Sequence, residues 1–274
     1  MREIVKVIPQ SEHRADDVIT LMSLGCIVYF ITLMGHEIVG HGSIMYLSGV
    51  RDFLLTSTSI DGSAQASQSP PWIDRLATMG GSIFNVAFAA ALYPILLRAR
   101  GYRSSGMTCY FLSLLVTVNL SLGLVYLLFS AIFGVGDWAV AIEGLPAPIL
   151  YRTGEILIGL CGLFAAARIM AVSLGGFRGS PALLAIAPYL AAVAFFCTIG
   201  LRTPYSDLIF VSVFPAPILG QSALLLAPLL VRGRDERGPR NEGMSVPRSW
   251  TTITLAALCL LVTWYVAPGV RISL

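Results

Sequence analysis

Uninterrupted apolar runs, several near the roughly 20 residues a helix needs to cross a bilayer, alternate along this chain with short charged patches. That pattern leaves few folds open. The runs fall at about 18–47, 76–97, 107–133, 155–174, 181–201, 208–231 and 250–268. Across all 274 residues, 56% are hydrophobic and only 12% charged, where a soluble domain carries about 25% charged residues. The mean hydropathy of +0.78 agrees. The expectation is an all-α polytopic transmembrane helical bundle of about seven spans. A nucleic-acid-binding domain, a disulfide scaffold and a soluble sheet-based enzyme are excluded. The sixth run contains Phe214-Pro215-Ala216-Pro217, which predicts a kink or a re-entrant segment, because proline removes a helix hydrogen bond.

Charge placement predicts topology. Of the 18 basic residues, Lys6 is the only lysine. Arg2, Lys6, Arg14, Arg98, Arg100, Arg103, Arg168, Arg178 and the five arginines from Arg232 to Arg248 fall on one side; Arg51, Arg75, Arg152, Arg202 and Arg271 fall on the other. The basic-rich side is expected to be cytoplasmic. That puts the N-terminus inside and the C-terminus outside, in a multi-pass protein of a plasma or inner membrane. Residues 1–17 are polar and of mixed charge, without the arrangement of a cleavable signal peptide, so the first span is expected to stay. Cys26, Cys109, Cys161, Cys197 and Cys259 stand singly and read as packing residues. The chain reads as one membrane domain over 1–274, with a catalytic core in 1–140, accessory spans in 141–274 and a solvated linker at 232–249. That linker is either a positive-inside loop or a site for anionic lipid. Residues 57–71 read as a polar loop.

Two of the three histidines bracket a glutamate inside the first apolar run: His36-Glu37-Ile38-Val39-Gly40-His41. Each charged group near a bilayer centre is penalised by about 2.5–3.5 kcal/mol on insertion scales, so such residues are first read as functional. Two imidazoles and an acid suit a catalytic zinc, the nitrogens holding the metal and the acid taking a proton from water. A polar cluster that packs helices is the competing reading. Histidines five apart lie about 140° apart around a regular helix, whereas the H-E-x-x-H spacing of four keeps them on one face. A π-bulge would restore a common face, and Gly40 eases it. Otherwise one histidine binds metal and the other is its hydrogen-bonding neighbour.

The six-residue motif resembles the zinc motif of dipeptidyl peptidase III, in which helix distortion accommodates the same spacing. The layout over about 30–140 resembles the site-2 protease family of intramembrane zinc metalloproteases. There a zinc helix is followed by a span opening with a Gly-Pro-x-x-Asn-like element and then by a metal-ligating Asp. Gly80-Gly81-Ser82-Ile83-Phe84-Asn85 and Gly134-Val135-Gly136-Asp137-Trp138 stand in those places. The zinc motif here has one extra residue, Gly81 stands for the Pro, and no PDZ-like insertion is present. The motif also points to the outer face, where the family works near the cytoplasmic one.

Depth joins the pieces. Val18 to His36 spans about 27 Å of helix at 1.5 Å per residue, which brings the motif to the outer boundary, where the third run ends at Asp137 and Asn85 lies about two turns into the second. The expected site is one Zn2+ on His36, His41 and Asp137 with water fourth, Glu37 as general base and then proton donor, and Asn85 orienting a substrate carbonyl. Glu143 and Glu155 are alternative ligands, although solvated acids are the plainer reading. Asn119 is expected to bond a neighbouring helix, and Trp138 to anchor at the interface. The implied substrate is a peptide bond of a membrane protein or membrane-adjacent peptide within the lipid bilayer. A zinc hydrolase of lipid amides or esters, and a non-enzymatic metal- or client-binding protein, are the alternatives.

Overall fold

The computed structural model describes residues 16–62, 70–101, 104–200, 202, 215–231 and 243–274. His13, the expected loop beyond Gly62, most of the 232–249 linker and the first part of the sixth apolar run lie outside the described residues. Among the described residues, five helices are long and apolar enough to cross a membrane: α1 (Val18–Leu47), α2 (Pro71–Gly101), α3 (Gly106–Phe133), α5 (Pro148–Leu174) and α6 (Pro181–Gly200). The other two expected spans appear as shorter apolar helices. The sixth is broken at Gln221 into α7 (Pro215–Gly220) and α8 (Ser222–Leu230), and the seventh is α9 (Trp250–Val266). A one-turn helix, α4 (Asp137–Ala141), lies between α3 and α5.

Local chemistry sets the helix ends. The Asp17 carboxylate accepts from the Thr20 amide at 2.9 Å and caps α1. Burial works to raise the Asp17 pKa, but the bonds from Thr20 and the charge of Arg248 hold it below its usual value. Ser105 and Ser249 cap α3 and α9 in the same way. Pro148 opens α5, where its missing N–H costs nothing.

Packing follows the small residues. α1 lies against α6 and α9, and α5 against α3 and α8. A Cβ on Gly25 would sit 2.8 Å from the Pro188 Cα, so α1 and α6 touch at backbone distance. Within the core, Asn119 donates to the Thr32 hydroxyl at 2.9 Å and to the Leu115 carbonyl at 2.8 Å, the interhelical role expected of it.

The chain is not wholly α. Strands β1 (Asp52–Leu55), β2 (Ile60–Gly62) and β3 (Val270–Ser273) form an antiparallel sheet in the order β2-β1-β3. Phe53 pairs with Gly62 on one side and Ile272 on the other. Part of the segment expected as loop is therefore one arm of a hairpin, closed where the Thr56 amide donates to the Ser59 carbonyl at 2.8 Å. The pairing satisfies backbone groups that a loop against the bundle would leave open.

Candidate metal centre

The middle of α1, Gly35–Gly42, is a π-helix flanked by α-helix. Its wider turn brings positions five apart onto one face, so His36 and His41 meet edge to face with ring centroids 4.8 Å apart. Glycines permit the close seat of this turn on α2. A Cβ on Gly40 would overlap the Gly81 Cα, and one on Gly80 would sit 2.6 Å from the Gly40 carbonyl oxygen. Gly81 stands under the His36 ring, where any Cβ would overlap the imidazole.

Asp137 arrives from the far end of α3. Gly134 ends that helix in the left-handed region at φ 67°, and Gly136 turns the chain at φ 84°, both conformations that favour glycine. Asp137 Oδ2 then lies 3.3 Å from His36 Nε2 and 3.4 Å from His41 Nε2. Burial works to raise the Asp137 pKa, but hydrogen bonds and charge from the two imidazoles outweigh it and hold the carboxyl well below the usual range.

These three side chains form a group that can hold a metal ion. Donors about 2.0–2.1 Å from a tetrahedral ion stand about 3.3 Å from one another, close to the separations seen. The outer partners fit as well. His41 Nδ1 lies 2.7 Å from the Ala77 carbonyl; that acceptor requires a proton on Nδ1 and leaves the Nε2 lone pair for the ion. His36 Nδ1 meets the Asn85 amide nitrogen at 2.8 Å, while Asn85 Oδ1 is buried without a partner. Half a turn of that amide sets Oδ1 on a protonated Nδ1, satisfies the orphaned oxygen and frees Nε2. Asn85 thus engages the back of His36 rather than an open substrate face.

Glu37 is 4% exposed, as is His36, and His41 is 8% exposed, so the cluster is not a solvated patch. The Glu37 carboxylate lies within electrostatic reach of both imidazoles and of Asp137. The two other acids considered as ligands stand apart. Glu143 is exposed and offers only its backbone carbonyl, to Arg75. Glu155 is buried in α5 with both oxygens unpartnered and belongs to no metal-holding group among the described residues.

Three further residues, none of them expected at the centre, position it. Arg75 donates to the carbonyls of Ala141 at 3.1 Å and Glu143 at 3.0 Å. The Trp138 indole donates to the Ser82 hydroxyl at 2.9 Å. Trp138 therefore clamps α4 to α2, because a half-buried indole N–H seeks an acceptor. Tyr126 takes the Asp137 amide on its hydroxyl at 3.3 Å. The one available signal was Gly123, where a Cβ would sit 3.1 Å from the Ser82 carbonyl oxygen, within a second π-turn at Ser121–Val125. No protein-family model, curated protein or solved structure matches this chain.

Proposed function

We propose that the chain is a membrane-embedded zinc hydrolase that cleaves a peptide bond in or next to the bilayer, with the layout of the site-2 protease family. One observation carries the reading: two imidazole nitrogens and a carboxylate converge to within 4.8 Å beside a buried glutamate, inside a helix otherwise apolar enough to span a membrane. Two nitrogens and one oxygen suit zinc, and intramembrane ionisable groups mark function. When bound, the metal supplies Lewis acidity and lowers the pKa of water toward neutrality.

The chain's own groups do the rest. His36 and His41 bind through Nε2, Asp137 completes the set, and Asn85 and the Ala77 carbonyl fix the two rings. Glu37 takes a proton from the attacking water as its oxygen bonds to the carbonyl carbon, and returns it to the nitrogen as the C–N bond breaks.

The sheet favours peptide over lipid. β2 lies at its edge with no strand on its outer side among the described residues, and it touches the π-helical turn: a Cβ on Gly42 would sit 3.1 Å from Ile60 Cδ1. A strand beside the metal ligands suits an extended peptide, whose backbone has the repeat of a strand. The arginine distribution favours an outer position for this end of the bundle.

Glu37→Gln tests the reading. Cells carrying this variant should accumulate an uncleaved membrane protein that active cells shorten, while the purified variant keeps its zinc. Unchanged membrane-protein fragments together with altered membrane lipids would instead support the lipid hydrolase, and no change in either would support a binding protein.

A further inference from the structure

Among the described residues, Tyr126 at the metal centre accepts a hydrogen bond on its hydroxyl and donates none. Its ring is fixed on two sides, stacked on Phe129 at 5.8 Å and edge-on to His36 at 6.3 Å. Its oxygen accepts from the Asp137 amide at 3.3 Å. A phenol both accepts and donates, and this one makes no other hydrogen bond among the described residues. It lies within electrostatic reach of Asp137 and Glu37. Gly136 keeps the place open, since a Cβ there would overlap the phenol oxygen. The π-turn at Ser121–Val125 ends at the residue before Tyr126, and its extra backbone advance sets the rotation at which the ring leaves α3.

We infer that Tyr126 is a catalytic residue of the proposed hydrolysis, donating its hydroxyl proton in a hydrogen bond to the oxygen that develops negative charge. This rests on the hydrolase reading. As the water oxygen bonds to the substrate carbon, the carbonyl π pair moves onto its oxygen, and a preorganised donor in a water-poor site stabilises that charge. When the pair returns, the C–N bond breaks and the nitrogen takes its proton from Glu37. Tyr126 keeps its own proton throughout. Asn85 lies behind the His36 ring, at Nδ1, whereas the Tyr126 hydroxyl sits beside Asp137.

Two probes test the inference on the zinc-loaded full-length protein. A peptide phosphinate carries a tetrahedral anionic centre with an oxygen for Tyr126 to reach; a peptide thiol binds metal and offers no such oxygen. Tyr126→Phe keeps the ring and its stacking. It should bind the phosphinate about 100-fold more weakly, bind the thiol unchanged, and retain the zinc content and the cobalt absorption spectrum of the parent. Equal phosphinate affinity in parent and variant would overturn the role of Tyr126 while leaving the hydrolase reading in place. A changed cobalt spectrum or loss of metal would make Tyr126 a support for Asp137 only. Failure of the parent to bind either probe would overturn the hydrolase reading itself, and the inference with it.

Discussion

The imidazole of His36 lies against the bare Cα of Gly81, so closely that a methyl group there would occupy the space of the ring. Gly81→Ala should therefore displace His36 and lower zinc affinity by at least about tenfold, the loss typical of disturbed ligand orientation. Gly40→Ala meets backbone rather than a side chain and should cost about 1–3 kcal/mol of stability by overpacking. Chelator competition and thermal unfolding in detergent separate the two effects. Parent-like zinc affinity in Gly81→Ala would show that the ring does not need this seat.

The purified protein should hold about one zinc per chain. His36→Ala, His41→Ala and Asp137→Ala should each lower occupancy greatly, whereas Glu143→Ala and Glu155→Ala should leave it near the parent value. Metal analysis by mass spectrometry decides the matter. Zinc retained in the double histidine variant, or lost in Glu155→Ala but kept in Asp137→Ala, would sink the assignment.

Asn85 holds the far side of the His36 ring. Asn85→Leu removes the partner of Nδ1 and should weaken metal binding about 10- to 100-fold, as expected for an outer-shell partner. Asn85→Asp, which still accepts from Nδ1–H, should recover most of the loss. A Leu variant with undiminished affinity would be incompatible with this role.

Arg75 ties two backbone carbonyls, one at the end of α4 and one just past it, to α2. Without it the helix bearing Asp137 keeps its bonds through Trp138, Tyr126 and the Ala139 amide to Ser130. Arg75→Ala should speed amide exchange across residues 137–143 and reduce zinc affinity about tenfold. Exchange measured by mass spectrometry at parent-like rates would argue against the clamp.

Orientation follows from the arginine count. Cysteines placed at Ser63 and Arg237, in a background lacking the five native ones, should react differently with a membrane-impermeant reagent in intact cells: position 63 labels, position 237 does not. The opposite pattern inverts the protein and places the metal centre toward the cytoplasm.

Much of this molecule is legible in the sequence because two of its signals are local. Length and apolarity mark the spans without reference to partners, and an ionisable cluster in an apolar run stands out by its cost. The five-residue spacing of His36 and His41 left two options, a π-turn or a single ligating histidine, and a π-turn is present. Asp137 was within reach because two glycines precede it and depth could be counted. The rest depended on contacts between distant segments. β1 to β3 are three or four residues each and show no sustained alternation, so nothing in their composition announces pairing. Tyr126, Arg75 and Trp138 look like ordinary core, loop and interface residues until α4 is seen docked on α2. The sixth apolar run was long enough as sequence, but its described part is two short helices broken at Gln221.

The strand order also sets a sequence of events in synthesis. β1 follows directly on α1, yet its partner β3 emerges only after α9. A long chain closure must therefore precede this pairing, which makes it slow compared with local helix formation. The histidines can meet as soon as α1 and α2 are in place, whereas the platform beside them is finished last. A ribosome-bound chain would carry His36 and His41 before it could present an ordered strand edge, and completion of the sheet waits for β3.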